Sequence, residues 1–267
     1  MNRIDRRFVQ LRETGRKALV PFVVAGHPLP DSTPILMHAL VAAGADLLEL
    51  GVPFSDPMAD GPVIQAASEK ALACGIGLEQ VLACVSSFRT QDSDTPVILM
   101  GYMNPMETMG LQQFAQQAAM AGVDGVLIVD LPPEEVDRVR DPLQQNKLHQ
   151  IFLIAPTTDE TRMAKICQLA EGFVYYVALK GVTGADLPKA DQIGAAVGQI
   201  RTHTRLPVAV GFGIKSAADA LEIGPCADAV VIGSALVSAI DQAASSEQAV
   251  RLARQFLAPI RAVLDGA

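Results

Sequence analysis

Two groups of residues in this sequence have the types and spacing to carry chemistry. The first is a carboxylate set inside an apolar run, Leu47-Leu48-Glu49-Leu50-Gly51. If the run is a strand, alternate side chains face opposite sides. With Leu48 and Leu50 against a helical layer, Glu49 then points into the interior near the strand's end. A buried carboxylate is costly to desolvate without a partner. Burial raises its pKa towards the range useful for proton transfer at neutral pH. No apolar run carries an obvious cationic partner for it. Directly after comes Pro53-Phe54-Ser55-Asp56-Pro57-Met58-Ala59-Asp60-Gly61-Pro62. Asp and Pro are ordinary turn residues, and Asp60 also stands where it can cap a following helix. Three acids at one strand end allow more. Environments that separate the pKa values of two carboxylates make one the acid and the other the base. Residue types alone leave open which of Asp56 and Asp60 serves with Glu49.

The second group is glycine. Gly211-Phe212-Gly213 and Gly233-Ser234 each follow an apolar run, and Gly181-Val182-Thr183-Gly184 follows a third. Glycines let backbone N–H groups approach an anion closely, and three such clusters on neighbouring strand ends predict a phosphate site. Lys180 lies beside the third cluster as the sole Lys near a candidate site. It reads as a solvated loop lysine, with an amine nucleophile as the alternative. His27, His38, His149 and His203 are scattered. Only His27 follows a run directly, and it reads as a satisfied loop histidine. No His, Cys or Asp spacing suggests a metal site.

Something must bring these groups together. Eight short runs rich in Val, Ile and Leu, at 19–25, 47–50, 97–100, 125–129, 151–155, 173–178, 208–210 and 229–232, read as strands buried on both faces. Between them lie segments of helical spacing. Ile35, Leu36, Ala39, Leu40 and Ala43 share a stripe that opens at Asp31-Ser32 and closes at Gly44. Phe114, Ala118 and Ala121 repeat it before Gly122, and Met163, Ile166 and Ala170 before Gly172. Residues 62–89, broken at 75–77, predict two helices, and residues 1–14 an extra helix ahead of the first strand. Eight strand–helix pairs in 267 residues fit a (β/α)8 TIM barrel in a single domain, 1–267. In such barrels the chemistry sits where strands end and loops begin, which is where all these groups fall.

Composition narrows the classes. Half the residues are hydrophobic and 19% are charged, which supports a large core and excludes general disorder. Aromatic content is 4% with no Trp, so stacked recognition of single-stranded nucleic acid is not expected. A net charge of -8 argues against nucleic-acid or anionic-membrane partners. No apolar run is long enough to span a membrane. The Arg-studded first sixteen residues lack the apolar stretch of a signal peptide. Four cysteines without a CxxC pair suit a reduced, cytoplasmic location.

The stretch Leu48-Glu49-Leu50-Gly51-Val52-Pro53-Phe54-Ser55-Asp56-Pro57-Met58-Ala59-Asp60-Gly61-Pro62-Val63-Ile64-Gln65 resembles the signature of the tryptophan synthase alpha chain family. The likeness continues through Gly101-Tyr102-Met103-Asn104-Pro105, Gly181-Val182-Thr183-Gly184-Ala185 and Gly211-Phe212-Gly213-Ile214, and covers the whole chain in order. It implies retro-aldol cleavage of indole-3-glycerol phosphate to indole and glyceraldehyde 3-phosphate, with no cofactor in this chain. By resemblance, Asp60 handles the proton on the indole nitrogen. Glu49 protonates the ring carbon and relays the side-chain hydroxyl proton. Tyr175 and Thr183 support them, Thr183 by contacting Asp60. Phe22, Met100, Tyr102, Leu127 and Phe212 match the indole pocket. Gly184, Gly213, Gly233 and Ser234 match the phosphate contacts.

The resemblance also implies a partner, a beta chain that holds pyridoxal phosphate, in an alpha2beta2 heterotetramer. Pro53, Asp56 and Asn104 match its docking surface, and an exposed apolar patch is expected around Pro53, Phe54 and Pro57. Two departures stand out. Ala178-Leu179-Lys180 replaces a segment in which relatives carry serine, which bears on closure of the loop after the sixth strand. Met100 replaces a usual Leu, a nearly volume-conserving change.

Overall fold

A computed structural model describes residues 1–178, 189–211 and 213–266. Among the described residues eight parallel strands close into a barrel in chain order. They are β1 (Ala18–Val24), β2 (Leu48–Gly51), β3 (Val97–Gly101), β4 (Gly125–Ile128), β5 (His149–Ile154), β6 (Val174–Val177), β7 (Val208–Gly211) and β8 (Ala229–Ile232). The helices are α1 (Arg3–Glu13), α2 (Thr33–Ala42), α3 (Pro62–Ala73), α4 (Leu78–Arg89), α5 (Met103–Met109), α6 (Leu111–Ala121), α7 (Asp137–Gln145), α8 (Glu160–Leu169), α9 (Ala190–Arg201), α10 (Ala217–Ile223), α11 (Ser234–Ile240) and α12 (Ser246–Asp265). The first and last strands join at Ala18↔Ala229 and Leu19↔Val230, which closes the ring.

Alternation along the strands builds two apolar layers. Val20, Leu47, Ile98, Leu127, Ile151, Tyr175, Ala209 and Val231 fill the interior. Leu48, Leu50, Leu99, Val126 and Val210 pack outward against the helices. The N-terminal end of the barrel is plugged by α1. Ile4, Phe8 and Leu11 are buried there, and the Phe8 ring lies 5.7 Å from that of Phe173. Asn2 caps α1 by accepting from the Ile4 amide, and its own amide donates to the Asp124 carbonyl at 2.9 Å. Ion pairs staple this same end. Arg261 of α12 meets buried Asp46 at 2.9 Å, and Arg89 of α4 meets buried Asp124 at 2.8 Å.

The expected strands are all present, with shifted ends. β2, β3 and β7 run one residue further than the apolar pattern, each onto a glycine that pairs in the ladder: Val24↔Gly51, Gly101↔Ile128 and Val177↔Gly211. Two of these glycines make room for side chains at the mouth and interior of the barrel. A Cβ on Gly51 would fall 2.6 Å from Phe22 Cζ, and one on Gly211 would overlap the Tyr175 hydroxyl. β6 is shorter than expected because the Phe173 amide donates to the Glu171 carbonyl at 2.8 Å instead of a neighbouring strand. No single helix among the described residues is long and apolar enough to cross a membrane.

Candidate active site

A cleft of ≈ 690 Å³ opens at the C-terminal ends of the strands. Its walls come from strand ends and the loops after them: Phe22 of β1, Glu49 of β2, Met100 of β3, Tyr175 of β6, Val231 of β8, Asp60 and the first turn of α3, Gly213 to Lys215, and Gly233-Ser234 with the start of α11.

Glu49 lies on the interior face, 2% exposed. Burial alone pushes its carboxyl up to about 8, so it holds its proton at neutral pH. Asp60 is half-buried on the same cleft. Burial raises it to about 6, and the nearby Tyr102 hydroxyl pulls part of the way back. At pH 7 one carboxyl is therefore mostly protonated and the other mostly ionised. That is the separation acid–base chemistry requires of two like groups.

The loop after β2 is fixed around Asp60. The Asp60 amide donates to the Pro57 carbonyl at 3.1 Å, and the Gln65 side chain donates to the Asp60 carbonyl at 2.8 Å. The Ala59 amide donates to the Tyr102 hydroxyl at 3.1 Å. The Phe54 ring packs on Tyr102 with centroids 5.3 Å apart. This geometry separates Asp56 from Asp60. Asp56 is exposed and accepts from Ser55 Oγ, whereas Asp60 faces the cleft. Nor does Asp60 cap α3: Gly61 holds that position, without a side-chain hydrogen bond.

The other expected residues divide. Phe22, Met100, Tyr175, Gly213, Gly233 and Ser234 line the cleft. Tyr175 is buried, and its phenol is kept protonated first by burial and then by the nearby Glu49 charge. Tyr102 reaches the site from behind Asp60, in a small pocket shared with Phe22 and Met100. Leu127 is fully buried with Ile98 and Ile151 in the interior layer. Thr183, Gly184 and Phe212, with Lys180 and the rest of the glycine cluster at 181–184, lie outside the described residues.

Three expectations need correction. Pro53 is buried and Phe54 and Pro57 are half-buried, so no exposed apolar patch is centred there. The chain stays packed for two residues beyond β2, and Phe54 then leans on Tyr102. The exposed apolar residue of this loop is Met58, at 84%. Second, Lys180 is not the sole Lys near the site: Lys215 lines the cleft. Its place in a short loop beside Gly213 was the available signal. Third, His27 is only half satisfied. Its Nε2 meets Asp241 at 2.8 Å, while buried Nδ1 has no hydrogen-bond partner among the described residues. Val63, Ala235, Ser238 and Phe256 also line the cleft. They lie on helix faces, where apolar and small residues read simply as packing. Among the described residues no cluster of three His, Cys, Asp or Glu could hold a metal ion.

The fold and this cleft define a (β/α)8-barrel enzyme with a separated carboxyl pair at the mouth. Comparison with known proteins specifies it. Residues 8–262 match the family model "Tryptophan synthase alpha chain". The chain is 56% identical over 265 residues to tryptophan synthase alpha chains of Ralstonia nicotianae and Laribacter hongkongensis, covering 99% of this chain and 100% of each relative. A crystal structure of tryptophan synthase subunit alpha from Legionella pneumophila superposes with a TM-score of 0.92 at 45% identity, covering 100% of both chains. The chain belongs to the tryptophan synthase alpha chain family. It is a carbon–carbon lyase of tryptophan biosynthesis, and its reaction is the family's cleavage of indole-3-glycerol phosphate.

Proposed function

We propose that Glu49 and Asp60 carry the proton transfers of this cleavage. The carbon–carbon bond to the indole ring breaks only after the ring carbon has been protonated. Protonated Glu49 donates to that carbon while ionised Asp60 takes the proton from the ring nitrogen, giving the indolenine tautomer. Glu49, now a carboxylate, accepts the proton of the side-chain hydroxyl. The aldehyde forms, the bond to the ring breaks, and its electron pair returns through the ring to the nitrogen, which recovers its proton from Asp60. Indole and glyceraldehyde 3-phosphate result, with both carboxyls restored. The observation that carries this reading is two carboxyls on one apolar cleft, with pKa values near 8 and near 6.

The remaining roles follow. Phe22 and Met100 hold the indole ring and exclude water from the indolenine, with Tyr102, Leu127 and Phe212 as further members of that pocket. Tyr175 packs beside Glu49 in support, and Thr183 serves Asp60 in the same supporting role. Gly213, Gly233 and Ser234, with Gly184, offer hydrogen bonds to the phosphate, so binding energy far from the reacting bond orients it. The chain, a single barrel domain, needs no cofactor of its own. Pyridoxal phosphate belongs to a beta chain, with which it forms an alpha2beta2 complex in the cytoplasm. Exposed Asp56, Met58 and Asn104 supply part of the docking face, above buried Pro53.

The test is direct. Purified chain is mixed with indole-3-glycerol phosphate, with and without a beta chain, and indole is followed. Indole release that disappears in Asp60→Asn supports the reading. Release unchanged in that variant would remove Asp60 from the chemistry.

A further inference from the structure

Backbone amides and a serine hydroxyl give a phosphate hydrogen bonds but no net charge. The cleft that must admit this dianion also holds ionised Asp60, in a chain of net charge -8. Electrostatics disfavours such an entry unless a cation stands close by. Among the described residues lining the cleft, one carries positive charge, and it is Lys215. It follows Gly213 by two residues, on the same wall as the glycine end.

The loop that presents Lys215 is rigidly held. Ile214 before it is buried. The Lys215 amide donates to Asp219 Oδ2 at 2.8 Å, and the Ser216 amide and hydroxyl donate to the same oxygen at 2.9 and 3.0 Å. Asp219, the acid nearest in sequence, is thus engaged by the loop in the capping box of α10, whose N-cap is Ser216. A fixed backbone beneath a flexible stem suits lysine's use as a mobile point charge for phosphate.

We propose that Lys215 is the charge determinant of the phosphate end: its ammonium pairs with the substrate dianion and sets the preference for the phosphorylated over the neutral side chain. The proposal rests on the functional reading above and deepens it. Lys215 takes no part in the proton transfers, so its effect falls on binding.

The experiment compares the full chain, in complex with a beta chain, with Lys215→Gln and Lys215→Arg. In Lys215→Gln, KM for indole-3-glycerol phosphate rises about tenfold while kcat stays within about twofold, the scale of one charge-assisted contact. KM also becomes less sensitive to added salt, because the screened attraction is gone. Lys215→Arg restores most of the loss. Titration of each chain with glycerol 3-phosphate shows a matching weakening, and titration with an indole bearing an uncharged alcohol chain shows none. An unchanged KM, or equal weakening towards both probes, overturns the proposal. If the unsubstituted complex releases no indole, the functional reading fails on its own. The glycerol 3-phosphate titration then still decides whether Lys215 binds a phosphate ester.

Discussion

The Tyr102 hydroxyl accepts from the Ala59 amide at 3.1 Å and stands close enough to the Asp60 carboxylate to favour its ionised form. One phenol at the end of β3 thereby bears on both the position of this loop and the proton affinity of Asp60. Tyr102→Phe should remove a contact that favours ionised Asp60, so the Asp60 pKa rises above about 6. The acid limb of kcat/KM should move up by as much as about one pH unit. The loss should be larger at pH 6.5 than at pH 8. An unmoved acid limb would show that the phenol only packs.

The pair itself predicts a bell. Asp60 must be ionised, so activity falls as pH drops through about 6. Glu49 must be protonated, so activity falls as pH rises through about 8. Asp60→Asn and Glu49→Gln should each lower turnover by at least about 100-fold, the scale of losing a positioned acid or base. Residual activity in Glu49→Gln should lack the alkaline limb. Steady-state pH profiles of both variants check this.

Glu49 should also cost stability. Its folded pKa, about 8, lies above the 4.5 of an ordinary Glu. The protonated form suits the fold, so the favourable contribution is present below about pH 4.5 and is lost progressively towards pH 8. Glu49→Gln removes the ionisation. It should be more stable than the parent at pH 8 by on the order of 2–4 kcal/mol, and nearly equal to it at pH 4.5. Urea unfolding at the two pH values decides, and a gap that does not vary with pH would contradict the buried-acid account.

Tyr175 is placed by an absence on the neighbouring strand. Gly211 on β7 pairs with Val177 on β6 and leaves the space that the Tyr175 hydroxyl fills. Gly211→Ala should displace the ring, lower stability by about 1–3 kcal/mol as overpacking does, and reduce turnover. Adding Tyr175→Phe removes the overlapping oxygen and should recover part of the stability. The double-mutant cycle should therefore be non-additive, and strict additivity would refute the contact.

Much of the architecture was legible in the chain alone. Continuous Val, Ile and Leu runs separated by helical stripes have few solutions other than strands buried on both faces of a closed sheet, and Glu49's place followed from simple alternation. The ends were less legible. Gly51, Gly101 and Gly211 lengthen their strands because a ladder needs only backbone, which an apolar pattern does not register. Pro53 looked like surface and is buried. Its depth depends on how the neighbouring strands stagger.

By itself the sequence determined which residue types could do the chemistry and the order in which strand ends would present them, since periodicity and motif spacing are local properties of the chain. Tertiary structure alone decided that Asp60 and not Asp56 faces Glu49's cleft, that Tyr102 reaches round to Asp60, and that Lys215 lines the same cleft. Those outcomes depend on closing the barrel between β1 and β8. Closure brings residues far apart in sequence into one space, where desolvation sets their proton affinities.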